Sequence, residues 1–272
     1  MKRASTLLFF TLFVSLALPA QATQPKRRPA SKTLVKGQGH PRGAGKKPSE
    51  SGPDASEILK KSDDARMPDG TISFNVRVED KNGAEVTGDT TYHVFAKGDD
   101  RAMIETTAPA RLKGRKLLMR GDDLWLYLPT VKRPTRVGLQ QRLTGEVANG
   151  DVARTRFFSD YTPKKLGNET VSGKVTHKLE LKAKKKETTY RRAILWVEAS
   201  SFQPVKAEFF AISGKLLKRS EYFDYKMILG GTRATRVLIR DALKPAKASE
   251  LFYSEFSREE LDDSFFTKES LM

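Results

Sequence analysis

The chain contains the stretch Asp122-Asp123-Leu124-Trp125-Leu126-Tyr127-Leu128-Pro129, in which aliphatic and aromatic residues alternate up to a proline. A basic turn, Lys132-Arg133-Pro134-Thr135-Arg136, follows the proline. Alternation with a period of two is typical of a β-strand whose successive side chains point to opposite faces of a sheet. Both faces of this strand are apolar, so each must be covered by the rest of the protein or must contact an apolar ligand.

Other segments with the same period lie on both sides of this strand. Ile72, Phe74, Val76 and Val78 alternate with polar residues, and the Asn82-Gly83 pair that follows them is a strong hairpin signal. We count about ten or eleven strands, nearly all joined by tight turns, which predicts an antiparallel meander. A sheet of that length must curl, split or close.

Two segments predict helical cover for the sheet. A helix of about three turns is expected to begin near Asp54 and to end before Pro68-Asp69-Gly70. Residues 138–168 lack a period of two and predict a long loop with one or two short helices, of the kind that often forms a lid. The predicted fold is therefore mainly β (α+β), a curled antiparallel sheet or unclosed half-barrel with one to three helices covering its mouth.

The N-terminal region predicts export. Residues 1–22 combine Lys2 and Arg3, an apolar run and Ala20-Gln21-Ala22, which is the pattern of a signal peptide cleaved near Ala22. The sequence has no cysteine, which excludes disulfides, thiol catalysis and a lipid-anchored cysteine. We therefore expect a periplasmic protein whose folded domain spans residues 54–272.

The charge is strongly basic and unevenly distributed. The formal net charge is +17, and residues 23–53 carry eight Lys or Arg residues against one acid, Glu50. This segment is rich in Pro, Gly and Ser and is expected to be a disordered linker. Residues 26–47 either tether the protein to an anionic membrane surface or serve as a solvated spacer. Nucleic acid is not expected as a partner because the chain carries an export signal.

The sequence gives no clear indication of catalysis. His40, His93 and His177 have neither the spacing nor the acidic neighbours of a metal site, and no phosphate-binding or nucleophile motif is present. We predict no metal, no cofactor and no enzyme activity. A hydrolase would require an acid–base pair that converges in a cavity.

A single helix cannot fill a half-barrel of ten strands, so an apolar cavity is expected. Its lining is predicted from the apolar side of the alternating strands: Phe74, Val76, Ile104, Leu124, Leu126, Leu128, Val205, Phe209 and Val237. An acyl chain would suit such a cavity, since each buried methylene contributes about 0.8 kcal/mol. The alternative is that these residues are ordinary core.

Five further residues are candidates for a lid or for contact with a lipid head group. They are Arg101, Arg133, Arg136, Phe157 and Phe158. For the three arginines the alternative is a role in surface solubility.

The strand and basic turn resemble the signature of the outer-membrane lipoprotein-sorting (LolA-like) periplasmic proteins. Ala193-Ile194-Leu195-Trp196-Val197 with Gln203-Pro204-Val205-Lys206 is similar to that family's later strand and bend. Gly214-Lys215-Leu216-Leu217-Lys218-Arg219 resembles its hairpin, and Phe265-Phe266-Thr267 with Leu271 resembles its C-terminal segment. The chain departs from one subgroup at Gly145-Glu146-Val147-Ala148-Asn149-Gly150-Asp151, where that subgroup has Gly-Ser-Asp-Phe.

The resemblance implies an unclosed antiparallel barrel with helices over its mouth. It implies a carrier that binds lipid or lipoprotein acyl chains and moves them between the envelope membranes. It also implies an association with an inner-membrane exporter of the resistance-nodulation-division type. The alternative is a module that senses lipid or lipoprotein, or an accessory subunit, without transfer activity.

Overall fold

The computed structural model describes residues 52–154 and 156–272. The predicted signal peptide and nearly all of the predicted linker, including the basic residues 26–47, lie outside these described residues. Neither α-helix in the described part of the chain is long and apolar enough to cross a membrane.

The first element is the helix α1, Ala55–Arg66. The Asp54 side chain caps it by accepting a hydrogen bond from the Glu57 N–H at 2.8 Å. Ile58 and Leu59 are fully buried against the sheet. The predicted helix is confirmed, and its apolar face holds it on the sheet.

Most of the chain is strand. Within the described residues, thirteen strands form one antiparallel sheet and two form a small hairpin. The strands are β1 Thr71–Asn82, β2 Glu85–Lys97, β3 Arg101–Ala108, β4 Lys116–Arg120, β5 Asp123–Tyr127, β6 Thr135–Val137, β7 Arg142–Thr144, β8 Val147–Ala148, β9 Tyr161–Val171, β10 Lys174–Ala183, β11 Arg192–Glu198, β12 Pro204–Phe210, β13 Leu216–Ile228, β14 Gly231–Asp241 and β15 Lys247–Arg258. The hairpin is β7–β8, and the helix α2, Asn149–Ala153, follows it directly.

The order of the large sheet is β6-β5-β4-β3-β2-β1-β15-β14-β13-β12-β11-β10-β9. Every neighbouring pair is sequential except β1 and β15, which pair in register with Val76 opposite Tyr253. The first and last strands therefore join two meanders, and β6 and β9 remain as the two edges. The predicted curled, unclosed half-barrel is confirmed.

The expected ten or eleven strands were too few, because four strands were missed. Three of them, β6, β7 and β8, are only two or three residues long and show no period. The fourth, β9, begins at Tyr161, inside the segment predicted to be a loop. It is an edge strand that contains Pro163 and Gly167 and is mostly exposed, so it lacks the apolar alternation that identifies a strand.

The two faces of the sheet are covered by different parts of the chain. The inner face carries α1 and the segment 138–160, which we call the cover segment. The outer face of β3–β5 carries two short 3-10 turns near the C-terminus, Asp263–Phe266 and Glu269–Leu271. Phe266 and Leu271 are fully buried there against Met103 and Leu118.

Candidate functional site

Strand β5 contributes one face to each side of the sheet. Leu124 is buried in the inner core, and Leu126 packs against the same core. Trp125 and Tyr127 pack on the outer face with the C-terminal 3-10 turns. The aliphatic residues of β5 therefore face the interior of the half-barrel.

The cover segment inserts apolar side chains into the half-barrel. Leu139, Val147, Val152 and Ala153 are buried and belong to the inner core cluster. The cover segment makes up most of the predicted loop 138–168 and contains the hairpin β7–β8 and the helix α2. It lies over the inner face of the sheet.

Two glycines let the cover segment approach the sheet closely. Gly145 has a φ of +44°, and a Cβ at this position would overlap the side chains of Asp80 and Ser249. A Cβ at Gly150 would overlap the side chain of Thr189. Only glycine fits at these two points without displacing the segment.

A buried polar cluster fastens α2 to the sheet. The Lys218 Nζ lies 2.9 Å from the Asp151 carboxylate and donates to the Glu146 carbonyl at 2.6 Å. The Tyr190 hydroxyl donates to the same carboxylate at 2.7 Å. Burial, together with the neighbouring Asp151 charge, raises the pKa of Tyr190 well above its usual value of 10.0, so this hydroxyl remains a donor.

A second polar contact fastens the other end of the cover segment to α1. The Asp63 carboxylate accepts hydrogen bonds from the backbone N–H groups of Phe157 at 2.8 Å and Phe158 at 2.7 Å. Arg156 forms ion pairs with Asp64 at 2.6 Å and Asp99 at 3.3 Å. These contacts join the cover segment to the helix and to the β2–β3 turn.

Arg154 extends this network to the β4–β5 turn. Its guanidinium donates to the Gly121 carbonyl at 2.8 Å and lies 3.2 Å from the Asp122 carboxylate. It also lies 3.3 Å from Asp160, and its side chain is almost fully buried. The turn that precedes β5 is thus held by the cover segment.

Two cavities lie beneath the cover segment, and they differ in size. The interior cavity, lined by residues such as Phe157, Tyr222 and Val237, has a volume of about 60 Å³. A second cavity of about 390 Å³, which we call the mouth pocket, opens between strands β2–β6 and the cover segment. Ligand pockets are typically about 300–1,000 Å³, so the interior cavity is too small for a lipid and the mouth pocket is large enough.

The mouth pocket has an apolar floor and a polar rim. Its apolar lining is Ile104, Leu112, Leu117, Leu126, Leu128, Val137 and Leu143. Three hydroxyl side chains from the sheet, Thr90, Tyr92 and Thr106, also line it. The cover segment supplies one wall through residues that include Leu143, Thr144 and Asn149. Movement of the cover segment would therefore change the shape of both cavities.

The predicted cavity residues fall into four groups. Ile104, Leu126 and Leu128 line the mouth pocket. Phe209 and Val237 line the interior cavity. Phe74, Val76 and Leu124 are buried in the inner core. Val205 lies apart from both cavities and lines a separate pocket of about 280 Å³ beside β13.

The predicted lid and head-group residues do not form one cluster. Arg101 forms an ion pair with Asp263 in the C-terminal 3-10 turn, on the side away from the cavities. Arg136 pairs with Asp123, and Arg133 is exposed in the turn after β5.

The two aromatic candidates, Phe157 and Phe158, lie in the cover segment. Phe157 lines the interior cavity beneath the guanidinium of Arg66, at 4.0 Å from the ring centre. Phe158 is 38% exposed.

The polar groups that hold the cover segment in place are not among the residues predicted for the site. Lys218 and Ser220 lie on the inner face of β13, where alternation would place apolar residues. A lysine at an inward-facing position of a strand indicates a buried acidic partner, since burying an unpaired charge is unfavourable in free energy. The partner, Asp151, lies in the stretch that departs from the subgroup motif.

The histidines of the described residues pair with amides. The His93 Nδ1 lies 2.6 Å from the Asn75 side-chain oxygen, and the His177 Nδ1 lies 2.9 Å from that of Asn168. Within residues 52–154 and 156–272, no group of three or more metal-ligating side chains could hold an ion.

The chain is similar to a family model and to several solved structures. A family model described only as an uncharacterized protein matches residues 98–272. No curated protein matches the chain. Among solved structures, a LolA superfamily protein from Nitrosomonas europaea is 40% identical with a TM-score of 0.76, and the match covers 80% of this chain and 99% of that one.

Two more distant structures share the fold. A domain described as an outer membrane lipoprotein-sorting protein, from Vibrio parahaemolyticus, has 23% identity and a TM-score of 0.70 and covers 80% of this chain and 97% of its own. A DUF1329 family protein from Desulfovibrio piger has 20% identity and a TM-score of 0.70 with the same coverage.

Proposed function

The chain belongs to the LolA superfamily, and we propose that it is a non-enzymatic periplasmic carrier that binds an acyl chain of a lipid or lipoprotein. The observation that carries this proposal is the mouth pocket, an apolar cavity of about 390 Å³ between the sheet and a cover segment held by polar contacts. An acyl chain needs an apolar groove and few specific polar contacts, since burial of its methylenes supplies the binding free energy.

The cover segment gives the carrier a way to load and unload. In the closed arrangement the interior cavity has a volume of only about 60 Å³, because Val147, Val152 and Ala153 occupy the inner face. An acyl chain enters at the mouth pocket and extends inward when α2 separates from Lys218. The inner face contacts the cover segment in the closed state and the ligand in the loaded state. Its apolar side chains are therefore covered in both states.

The route between donor and acceptor follows from this function. We propose transfer between the two envelope membranes, with an inner-membrane exporter of the resistance-nodulation-division type as donor or acceptor. Residues 26–47 would hold the carrier near anionic lipid. A sensor or accessory subunit is the second candidate, because the same cover segment would report occupancy of the pocket to a partner protein.

The test begins with protein purified from a native cell envelope. Lipids are extracted from it and quantified by mass spectrometry. A carrier or sensor holds lipid in a stoichiometric amount, whereas an empty protein contradicts both. Transfer of labelled lipid between donor and acceptor vesicles then separates the two, since only a carrier accelerates it.

A further inference from the structure

We propose that the mouth pocket selects an amphiphile with one apolar chain and an anionic head group, either a phosphate or a carboxylate. This inference rests on the proposed carrier function and specifies its cargo. It follows from which charged residues line the pocket and from the size of the pocket.

The apolar part of the pocket suits a single chain. Ile104 and Leu117 form a buried floor, and Leu126 and Leu128 continue it toward the exposed end of β5. A volume of about 390 Å³ lies at the lower end of the range of about 300–1,000 Å³ for small-molecule sites. The closed pocket therefore accommodates one chain rather than several.

The rim of the pocket is basic. Arg115 lies just before β4, and Arg142 begins β7 in the cover segment, so the two guanidinium groups approach the pocket from different elements. Both side chains are exposed, and neither forms an ion pair with any other described residue. Arginine is suited to this role because its planar donors match carboxylate and phosphate oxygens.

No acidic residue lines the pocket to compete for these arginines. Asp80 lies behind the pocket wall, where its carboxylate accepts hydrogen bonds from Thr144 and Ser249, both at 2.6 Å. The remaining basic residue of the lining, Lys116, lies in register with Glu105 on β3 and so has a carboxylate opposite it. An anionic head group at the rim would meet Arg115 and Arg142 without displacing an existing partner.

The same lining disfavours a cationic or zwitterionic head group. A choline or ethanolamine group is stabilised by a carboxylate or by the face of an aromatic ring. The rim offers two guanidinium groups, the lining includes no Asp or Glu, and its one aromatic residue, Tyr92, is only 3% exposed. Because Arg142 belongs to the cover segment, an anionic head group would also draw the cover segment toward β4.

The experiment measures which lipid the protein removes from vesicles of known composition. The protein is incubated with phosphatidylcholine vesicles that contain equal amounts of lysophosphatidylglycerol and lysophosphatidylcholine with identical single chains, re-isolated by size exclusion, and its lipid is quantified. A parallel sample uses phosphatidylcholine vesicles that contain palmitate and hexadecanol in equal amounts. The lysophosphatidylglycerol sample tests an anionic phosphate head group, and the palmitate sample tests a carboxylate.

We expect about a tenfold preference for the anionic member of at least one pair, equivalent to about 1.4 kcal/mol. The Arg115→Gln/Arg142→Gln variant should lose this preference while it retains the same total amount of lipid. The matched control Arg111→Gln/Lys113→Gln removes the same charge from exposed positions on the preceding turn and should keep the preference.

The outcomes separate this inference from the carrier function. Lipid that is bound without preference, or a preference that survives in Arg115→Gln/Arg142→Gln, overturns the head-group inference and leaves the carrier function standing. Equal loss of preference in the control variant also overturns it, because the effect is then general surface attraction. A protein that removes no lipid contradicts the carrier function itself.

Discussion

Lys218 on β13 and Asp151 in α2 form an ion pair of 2.9 Å between the sheet and the cover segment. Each side chain is only 11% exposed. The Tyr190 hydroxyl donates to the same carboxylate at 2.7 Å, and the Lys218 ammonium also donates to the Glu146 carbonyl at 2.6 Å. This cluster attaches α2 to the inner face of the sheet through buried polar groups.

Asp151→Asn should loosen the cover segment. The variant leaves the Lys218 ammonium buried without its counter-charge, and breaking a buried pair in this way costs about 3–5 kcal/mol. We expect a lower free energy of unfolding in urea and faster amide hydrogen exchange at residues 147–153. The double variant Lys218→Met/Asp151→Leu removes both charges and should recover much of the lost stability. Unchanged exchange in Asp151→Asn would show that the pair does not hold the cover segment.

Gly150→Ala should displace the cover segment by steric overlap. Its Cβ would overlap the Thr189 side chain, so α2 must shift away from the β10–β11 connection. Overpacking of this kind costs about 1–3 kcal/mol. Gly138→Ala is the matched control in the same segment, because its Cβ would meet its nearest neighbour, Gln141, at an ordinary 3.8 Å. Amide exchange of α2 should rise in Gly150→Ala and remain unchanged in Gly138→Ala.

Much of the fold follows from the alternation of apolar and polar residues in the sequence. Eleven of the twelve strands longer than three residues, the hairpin at Asn82-Gly83 and the cap at Asp54 are set by local patterns, and the structure contains each of them. The inner and outer faces of β5 also follow from a period of two. Such features depend on neighbouring residues, so they can be predicted from a single sequence.

The contacts of the cover segment could not be predicted in the same way. Asp151 and Lys218 are far apart in sequence, and their pairing depends on where the loop folds onto the sheet. The edge strand β9 is specified by its pairing with β10 rather than by its own polar sequence. Arg101 illustrates the same limit, since its partner Asp263 lies in the C-terminal turn.

Two buried or paired carboxylates should titrate on opposite sides of the usual aspartate value. Burial raises the pKa of Asp63 above 3.8, although Arg66 and the N–H groups of Phe157 and Phe158 oppose this shift. The hydrogen bond from Lys185 holds the pKa of Asp122 below 3.8. Carboxyl ¹³C chemical shifts followed by NMR against pH would measure both values. A pKa for Asp63 below that of Asp122 would contradict the prediction.

The Asp63 shift has a consequence for stability. Folded Asp63 keeps its proton to higher pH than the unfolded chain does, so its contribution is present below pH 3.8 and is lost as pH rises through the folded pKa. The Asp63→Asn variant does not lose stability in this way as pH rises. The free energy of unfolding of the variant minus that of the wild type should therefore increase from about pH 3 to about pH 7. Urea unfolding of both proteins across this range tests the sign. A difference that is constant with pH would show that folding does not shift the pKa of Asp63.

Leu126→Glu should abolish lipid retention in a folded protein. Leu126 lines the mouth pocket and is only partly buried, so a carboxylate can reach water without disrupting the sheet. The charge would lie in the path of the acyl chain, where an unpaired carboxylate is strongly unfavourable. Val131→Glu is the matched control, because Val131 is 56% exposed in the turn after β5 and lies outside the pocket lining. Lipid bound per protein after incubation with phosphatidylglycerol vesicles should fall in Leu126→Glu and be retained in Val131→Glu.

Circular dichroism and urea unfolding establish that both variants are folded. A folded Leu126→Glu protein that binds lipid normally would mean that the acyl chain does not enter at the mouth pocket, and a variant that fails to fold would identify Leu126 as ordinary core.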